Sequence, residues 1–308
     1  MADVRDRAQL FLVGALSLAV VFVVLALVVN SAIYTENLAT RSTDSGTDDA
    51  VKFRTTVESS VGGLVAYENR RTTPDTSALI DGIDDIDDRL SRFNGRHGAF
   101  SRVSHVSDSP GTQLIQDTDR EFSNTASGND DWQLATGVTA TRSFQQRSEI
   151  DELDDVSLLG SIFGSSTFHT VVTDDTGDVY RIALYHDAGA DEAYVTVEDP
   201  VGNTQTCTYA YASSSETVTV DLTSAEFAGT HCGALEFWGD LDSPYTIEYV
   251  NGQSAEGTWD LVMQGTATSS ADPYEKTGIY DVTVRLLYRT DDVTYKTSVT
   301  VAPGEPDG

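Results

Sequence analysis

The sequence predicts an α+β fold, in which an N-terminal transmembrane helix with a helical stalk is followed by an antiparallel, all-β, sandwich-like ectodomain. Three observations lead there. An uncharged apolar run fills Leu10 to Val29, two segments between Ala50 and Phe93 repeat apolar residues at steps of three and four, and from Thr167 onward apolar residues alternate in short runs separated by turn residues.

The first run, as a helix rising about 1.5 Å per residue, is roughly 30 Å long, the thickness of a bilayer core. A removed secretory signal has a shorter apolar core and a small-residue cleavage site beyond it. Here Asn30-Ser31-Ala32-Ile33-Tyr34 follows, so the run reads as retained. Arg5 and Arg7 precede it and the next basic residue is Arg41, which places the N-terminus in the cytoplasm and residues 30–308 outside. Between Ala50 and Tyr67, residues Val51, Val57, Val61, Leu64 and Val65 fit one helix face. Between Ser77 and Phe93, residues Leu79, Ile80, Ile83, Ile86, Leu90 and Phe93 fit it better. Thr73-Pro74-Asp75-Thr76 supplies a start for the second helix and Asn94-Gly95 a stop. From Arg96 to Asp155 the pattern weakens among scattered Gly, Ser, Asn and Asp.

Strands are predicted at Thr167–Val172, Val179–Tyr185, Ala193–Val197, Cys207–Tyr211, Val218–Leu222, Tyr245–Val250, Thr258–Met263, Tyr280–Tyr288 and Val293–Val301. Asp174-Asp175-Thr176-Gly177-Asp178, Asp199-Pro200-Val201-Gly202-Asn203 and Arg289-Thr290-Asp291-Asp292 supply turns between them. The chain then divides into a cytoplasmic leader at 1–9, the transmembrane helix at 10–29, an extracellular helical region at 30–105, a mixed connecting segment at 106–160, the β-sandwich-like domain at 161–302 and a flexible tail at 303–308.

Charge narrows the setting. The chain carries 49 acidic residues against 19 basic ones, a formal net of -30, and only Lys52, Lys276 and Lys296 are lysine. Such self-repulsion is tolerable in brine, where the Debye length at 1 M falls to about 3 Å. With 13 Tyr and 11 Phe the chain has material for a core, which separates it from a solvated disordered acidic chain. No basic stripe exists to neutralise phosphates along the chain, so nucleic acid is not an expected partner.

Cys207 and Cys232 are the only cysteines, and an exported domain meets an oxidising compartment, so a disulfide is expected. Closing that loop would contribute about 3.5 kcal/mol on the chain-entropy model. The alternative is two buried thiols, since spacing does not bring two Cα atoms together. No catalytic signature is present: His97, His105, His169, His186 and His231 form no metal-binding pair, and neither a nucleophile elbow nor a phosphate loop occurs. The chain is therefore expected to be no enzyme and to need no cofactor. Asp84, Asp85, Asp87 and Asp88, or Asp174, Asp175 and Asp178, have the oxygen chemistry for calcium, but a solvated helix face and a self-satisfied turn account for them more simply. Tyr209, Tyr211, Phe237, Trp238, Tyr245 and Tyr249 offer an aromatic platform if exposed and cross-strand pairs if not.

Arg7-Ala8-Gln9-Leu10, running directly into the apolar segment, resembles the class III signal of archaeal type IV prepilins, and the stretch Ala32 to Arg41 resembles that of haloarchaeal pilin-like surface proteins. The resemblance implies that a prepilin peptidase cuts between Ala8 and Gln9, with Arg7, Ala8 and Gln9 as the processing residues, and leaves the helix on the mature subunit. It implies a cell-surface or filament subunit whose partners are membrane lipid and other pilin-like subunits. The apolar run departs from the Ser-Pro-Val start of major haloarchaeal pilins and the body is large, which fits a minor or pseudopilin-like subunit. Gly14, Ala15, Ser17, Ala19 and Ala26 would allow close helix packing in a filament. The alternative expectation is a static single-pass anchor displaying an adhesion or ligand-binding domain.

Overall fold

The computed structural model describes residues 47–155, 162–164, 166–268 and 273–304. The predicted transmembrane helix and the residues Arg7, Ala8 and Gln9 lie outside them. Among the described residues no helix is long and apolar enough to cross a membrane.

Two helices open the described chain. Residues 47–69 form α1, which turns Ala50, Phe53, Val57, Val61 and Val65 inward; Val51, expected on that face, is 57% exposed. The second, α2 (Thr76–Arg96), starts at Asp75, whose carboxylate accepts from the N–H groups of Ser77 at 2.8 Å and Ala78 at 3.3 Å, as an N-cap should. It buries Leu79 and Ile83 and leaves Phe93 exposed.

Thirteen strands follow in one antiparallel sheet. They are β1 (Phe100–Glu121), β2 (Trp132–Glu149), β3 (His169–Thr173), β4 (Val179–Asp187), β5 (Glu192–Glu198), β6 (Thr204–Ala210), β7 (Thr217–Asp221), β8 (Glu226–Phe227), β9 (Thr230–His231), β10 (Tyr245–Val250), β11 (Glu256–Ala267), β12 (Tyr274–Arg289) and β13 (Thr294–Val301). Their order is β13-β12-β1-β11-β2-β10-β3-β4-β5-β6, with β7 on a second pairing of β2 and the short β8 and β9 beyond it. Strand β1 is 22 residues long and shifts register between His105 and Ser107, between Ser109 and Pro110, and between Gln116 and Arg120. Such bulges bend a long strand, so one strand serves two cores. Near its start, Val103 joins α1, α2, β12 and β13 in a core with Val57, Ile83, Val284 and Leu286. Further along, Leu114 joins the larger core of β2, β3–β5, β7, β10 and β11 around Tyr249 and Trp259.

The predicted fold class is therefore corrected. The helices form no separate stalk ahead of an all-β sandwich; they pack on the β13-β12-β1 part of a sheet that runs through the whole described chain. The correction turns on β1 and β2, which occupy the segment expected to be mixed and which sit inside the strand order. Many of their inward positions are polar: Ser101, Gln113 and Gln116 on β1, and Thr141, Arg142, Gln146 and Ser148 on β2 are buried. Hydrophobic alternation does not register such strands. For the two buried glutamines that reach across the sheet, partners make burial tolerable. The Gln116 side chain donates to Gly257 O at 2.8 Å and accepts from Trp259 Nε1 at 3.1 Å, while Gln146 donates to Thr170 Oγ1 at 2.9 Å and Tyr249 Oη at 3.0 Å.

Candidate functional site

The helix–sheet junction is the most specifically built feature on the helical side. Strand β13 pairs with β12 only as far as Val282, so Ile279, whose side chain packs on the helix face with Val282 and Val284, has no strand on that side. Asn69, at the end of α1, fills the gap. Its side-chain amide donates to Ile279 O at 2.7 Å and accepts from Ile279 N at 2.8 Å, as a neighbouring strand would. The same carbonyl accepts from Arg142 Nη1 at 2.9 Å, and the guanidinium also donates to Tyr280 O at 3.0 Å. Lys276 Nζ donates to Asn69 O at 2.6 Å and Arg71 O at 3.2 Å, closing the last turn of α1; burial pushes its ammonium below the ordinary lysine value. Glu68, buried beside them, accepts from Arg71 at 2.9 Å and from Asp75 N at 3.4 Å, which links α1 to the cap of α2. At the other end of α1 the rings of Phe53 and Tyr288 lie 5.5 Å apart.

An open groove of about 430 Å³ lies over this junction, lined by Asn69, Gln113, Arg142, Asp260, Tyr274 and Lys276. Arg142 and Lys276 are spent on backbone carbonyls, and Arg70, also in the lining, lies over the Tyr67 ring at 5.7 Å. Burial raises the Asp260 carboxyl above the usual carboxylate range against the opposing pull of Arg147, 3.5 Å away. The Ser143 hydroxyl, also in the lining, hydrogen-bonds to that carboxylate, and the arrangement holds a helix to a sheet.

The residues singled out by sequence fall elsewhere. Cys207 on β6 and Cys232 are joined, with Cα atoms 5.9 Å apart, and the bond ties the edge strand β6 to the 3-10 segment Gly233–Asp240. Asp174 accepts from Thr176 N, Thr176 Oγ1 and Asp178 N at 2.7 to 2.9 Å, and these bonds, the Thr176 hydroxyl first, hold its carboxyl below the ordinary range. On α2, Asp88 pairs with Arg92 at 2.9 Å and Asp87 accepts from Val103 N at 2.6 Å. Among the described residues no three His, Cys, Asp or Glu side chains gather as a metal site. The histidines are dispersed: His97 against Phe93, His105 at 3.0 Å from Asp108, His231 at 3.1 Å from Glu236, and His169 and His186 buried. Burial lowers the pKa of His169.

None of the six platform aromatics is exposed. Tyr211, Trp238, Tyr245 and Tyr249 are buried and Tyr209 and Phe237 half-buried, with Phe237 stacked on Tyr180 at 4.5 Å. The junction residues Asn69, Arg142 and Lys276 were not singled out by sequence. The only local signal was the rarity of lysine.

Residues 4–130 match the model of a family of unknown function, DUF7261. The match begins at Val4, takes in the apolar run and both helices, and ends after β1. No curated protein and no solved structure matches the chain.

Proposed function

We propose that this chain is a non-enzymatic, pilin-like subunit of the cell surface. It is held in the membrane through Leu10–Val29, with the N-terminus in the cytoplasm and the acidic β body outside. Its partners are membrane lipid, a prepilin peptidase acting at Arg7, Ala8 and Gln9, and other pilin-like subunits after cleavage.

The observation that carries the reading is the attachment of α1. Five apolar side chains and the Asn69 amide fasten the helix to β12 and β13, and burial of each Val or Phe contributes about 1.5 to 3 kcal/mol. Force arriving along the chain from the apolar segment therefore reaches the sheet through a packed helix. A subunit drawn out of a bilayer into a filament needs that coupling.

The test is the N-terminal residue of the mature protein. Wild type is expected to begin at Gln9, and Ala8→Leu, which puts a bulky side chain where the peptidase pocket takes a methyl group, to retain Met1. Intact mass of membrane-extracted protein distinguishes the two. Wild-type protein that keeps Met1 to Ala8 would replace the pilin-like subunit with the static single-pass anchor.

A further inference from the structure

The cations of this acidic chain are gathered at one pole. Segments 47–54, 89–107 and 285–296 contain nine of the 19 Lys and Arg residues but four of the 49 carboxylates. The fold brings them together. The Phe53 ring meets Tyr288; Tyr288 lies opposite Ser101 and Arg289 opposite Phe100; Asn94 Nδ2 and Ser91 Oγ reach Ser101 at 2.9 and 2.8 Å. The first turn of α1, the last turns of α2 and a three-strand corner thus form one end of the molecule.

Register then sorts the side chains. Residues directly opposite in an antiparallel pair share a face. Phe100, Arg289 and Thr294 form one row, Arg102, Leu287 and Lys296 the next, and Ser104, Arg285 and Ser298 a third. Arg102, Arg285, Arg289 and Lys296 therefore stand on one face of the corner, all exposed. Arg89, Arg92 and Arg96 stand exposed along the end of α2. Three of the pole's nine cations pair with carboxylates: Lys52 with Asp49 at 3.6 Å, Arg54 with Glu58 at 2.7 Å and Arg92 with Asp88 at 2.9 Å. Among the described residues, Arg89, Arg96, Arg102, Arg285, Arg289 and Lys296 have no carboxylate within ion-pair distance. Phe93 and Phe100, 61% and 56% exposed, sit among them.

We propose that this pole is a footing for anionic lipid headgroups. The inference rests on membrane insertion through Leu10–Val29, which the pilin-like and static-anchor readings share. The chain outside the described residues supplies the argument for the occupant: it ends at Thr47, at this pole, after a link from Asn30 to Gly46. Even fully extended, that link reaches about 60 Å. The cationic end is thus the part of the described molecule tethered nearest the bilayer, and the link keeps its effective concentration at the surface high. Each exposed cation close to an anionic surface is worth about a fivefold gain in binding at moderate salt. In brine only cations in direct contact with phosphate contribute, and the two phenyl rings add a term that salt does not screen.

The full chain would be reconstituted into phosphatidylcholine vesicles with and without phosphatidylglycerol, at one salt concentration. A fluorophore would be placed through Thr294→Cys at the pole or Val201→Cys in the β5–β6 turn; Cys207 and Cys232 are bonded to each other, so the new thiol takes the label. The expected result is that phosphatidylglycerol shields the label at 294 from a water-borne quencher and leaves that at 201 unchanged. Arg285→Glu, Arg289→Glu and Lys296→Glu together should return the label at 294 to its phosphatidylcholine value. Equal accessibility in both lipids overturns the footing while co-flotation with the vesicles leaves membrane insertion standing. Shielding that follows protein density instead of lipid charge overturns it in favour of a second copy. Failure to float with either vesicle overturns the insertion reading and the footing with it.

Discussion

Single side chains in this protein often substitute for backbone. Asn69 does for β12 what a paired strand would, because β13 ends opposite Val282 and leaves Ile279 without a strand on that side. Asn69→Ala should lower stability by roughly 2 to 3 kcal/mol, since it removes two hydrogen bonds and strands a buried backbone N–H. Asn69→Asp should recover part of that loss, because a carboxylate still accepts from Ile279 N but cannot donate to its carbonyl. Urea titration of the two variants followed by tryptophan fluorescence checks the order; equal stability of Asn69→Ala and wild type would show that Arg142 and Lys276 suffice. Gly257 shows the same economy on β11. With φ at 152° and a Cβ that would lie 1.9 Å from Arg147 O, no other residue fits where β11 crosses β2.

Among elements, β6 is the one most dependent on help. Among the described residues it is an edge strand that pairs only with β5, and its residues are largely exposed. The bond from Cys207 to Cys232 attaches it to a segment whose Leu235 and Trp238 are buried in the larger core. Reduction should cost about 3.5 kcal/mol. It should also act locally, so that amide exchange in β6 and in 233–240 accelerates well before β1, β11 and β2, which occupy the middle of the sheet. Hydrogen exchange with and without reductant checks this; uniform acceleration would mean that the bond stabilises the sheet as a whole. The helices contrast with β6: α1 and α2 need no covalent tie because their apolar faces are continuous with Val282, Val284 and Leu286 of β12.

At the scale of the molecule, charge is separated. The described body is acidic nearly everywhere except at the pole where α1 begins, and the sequence total of -30 conceals that polarity. Carboxylate repulsion is relieved by salt, so the melting temperature of the full chain should rise between about 0.1 M and 3 M salt, over which the Debye length shrinks from about 10 Å to below 3 Å. A flat response across that series would remove brine from the account. The same screening weakens the pole's long-range pull on an anionic surface, so stability and surface attraction should move in opposite directions as salt rises.

Element type was legible wherever one face of the chain is apolar. Leu79 and Ile83 mark α2, and the alternation from Val179 to Tyr185 or Tyr245 to Val250 marks strands, because a period of 3.6 or 2 is written directly in the order of side chains. Turn carboxylates such as Asp174 were equally legible, since their bonds are local. Strands β1 and β2 were not, for their inward Gln116, Gln146 and Arg142 find partners in Trp259, Tyr249 and the backbone of β12, more than a hundred positions away. The sequence by itself determined the acidic character, the uncharged Leu10–Val29 run, the helices and most strands. Tertiary structure alone decided that helices and strands share one sheet, that Asn69 stands in for a strand beside Ile279, and that scattered cations meet at one pole, since each of these depends on pairings between residues more than a hundred positions apart.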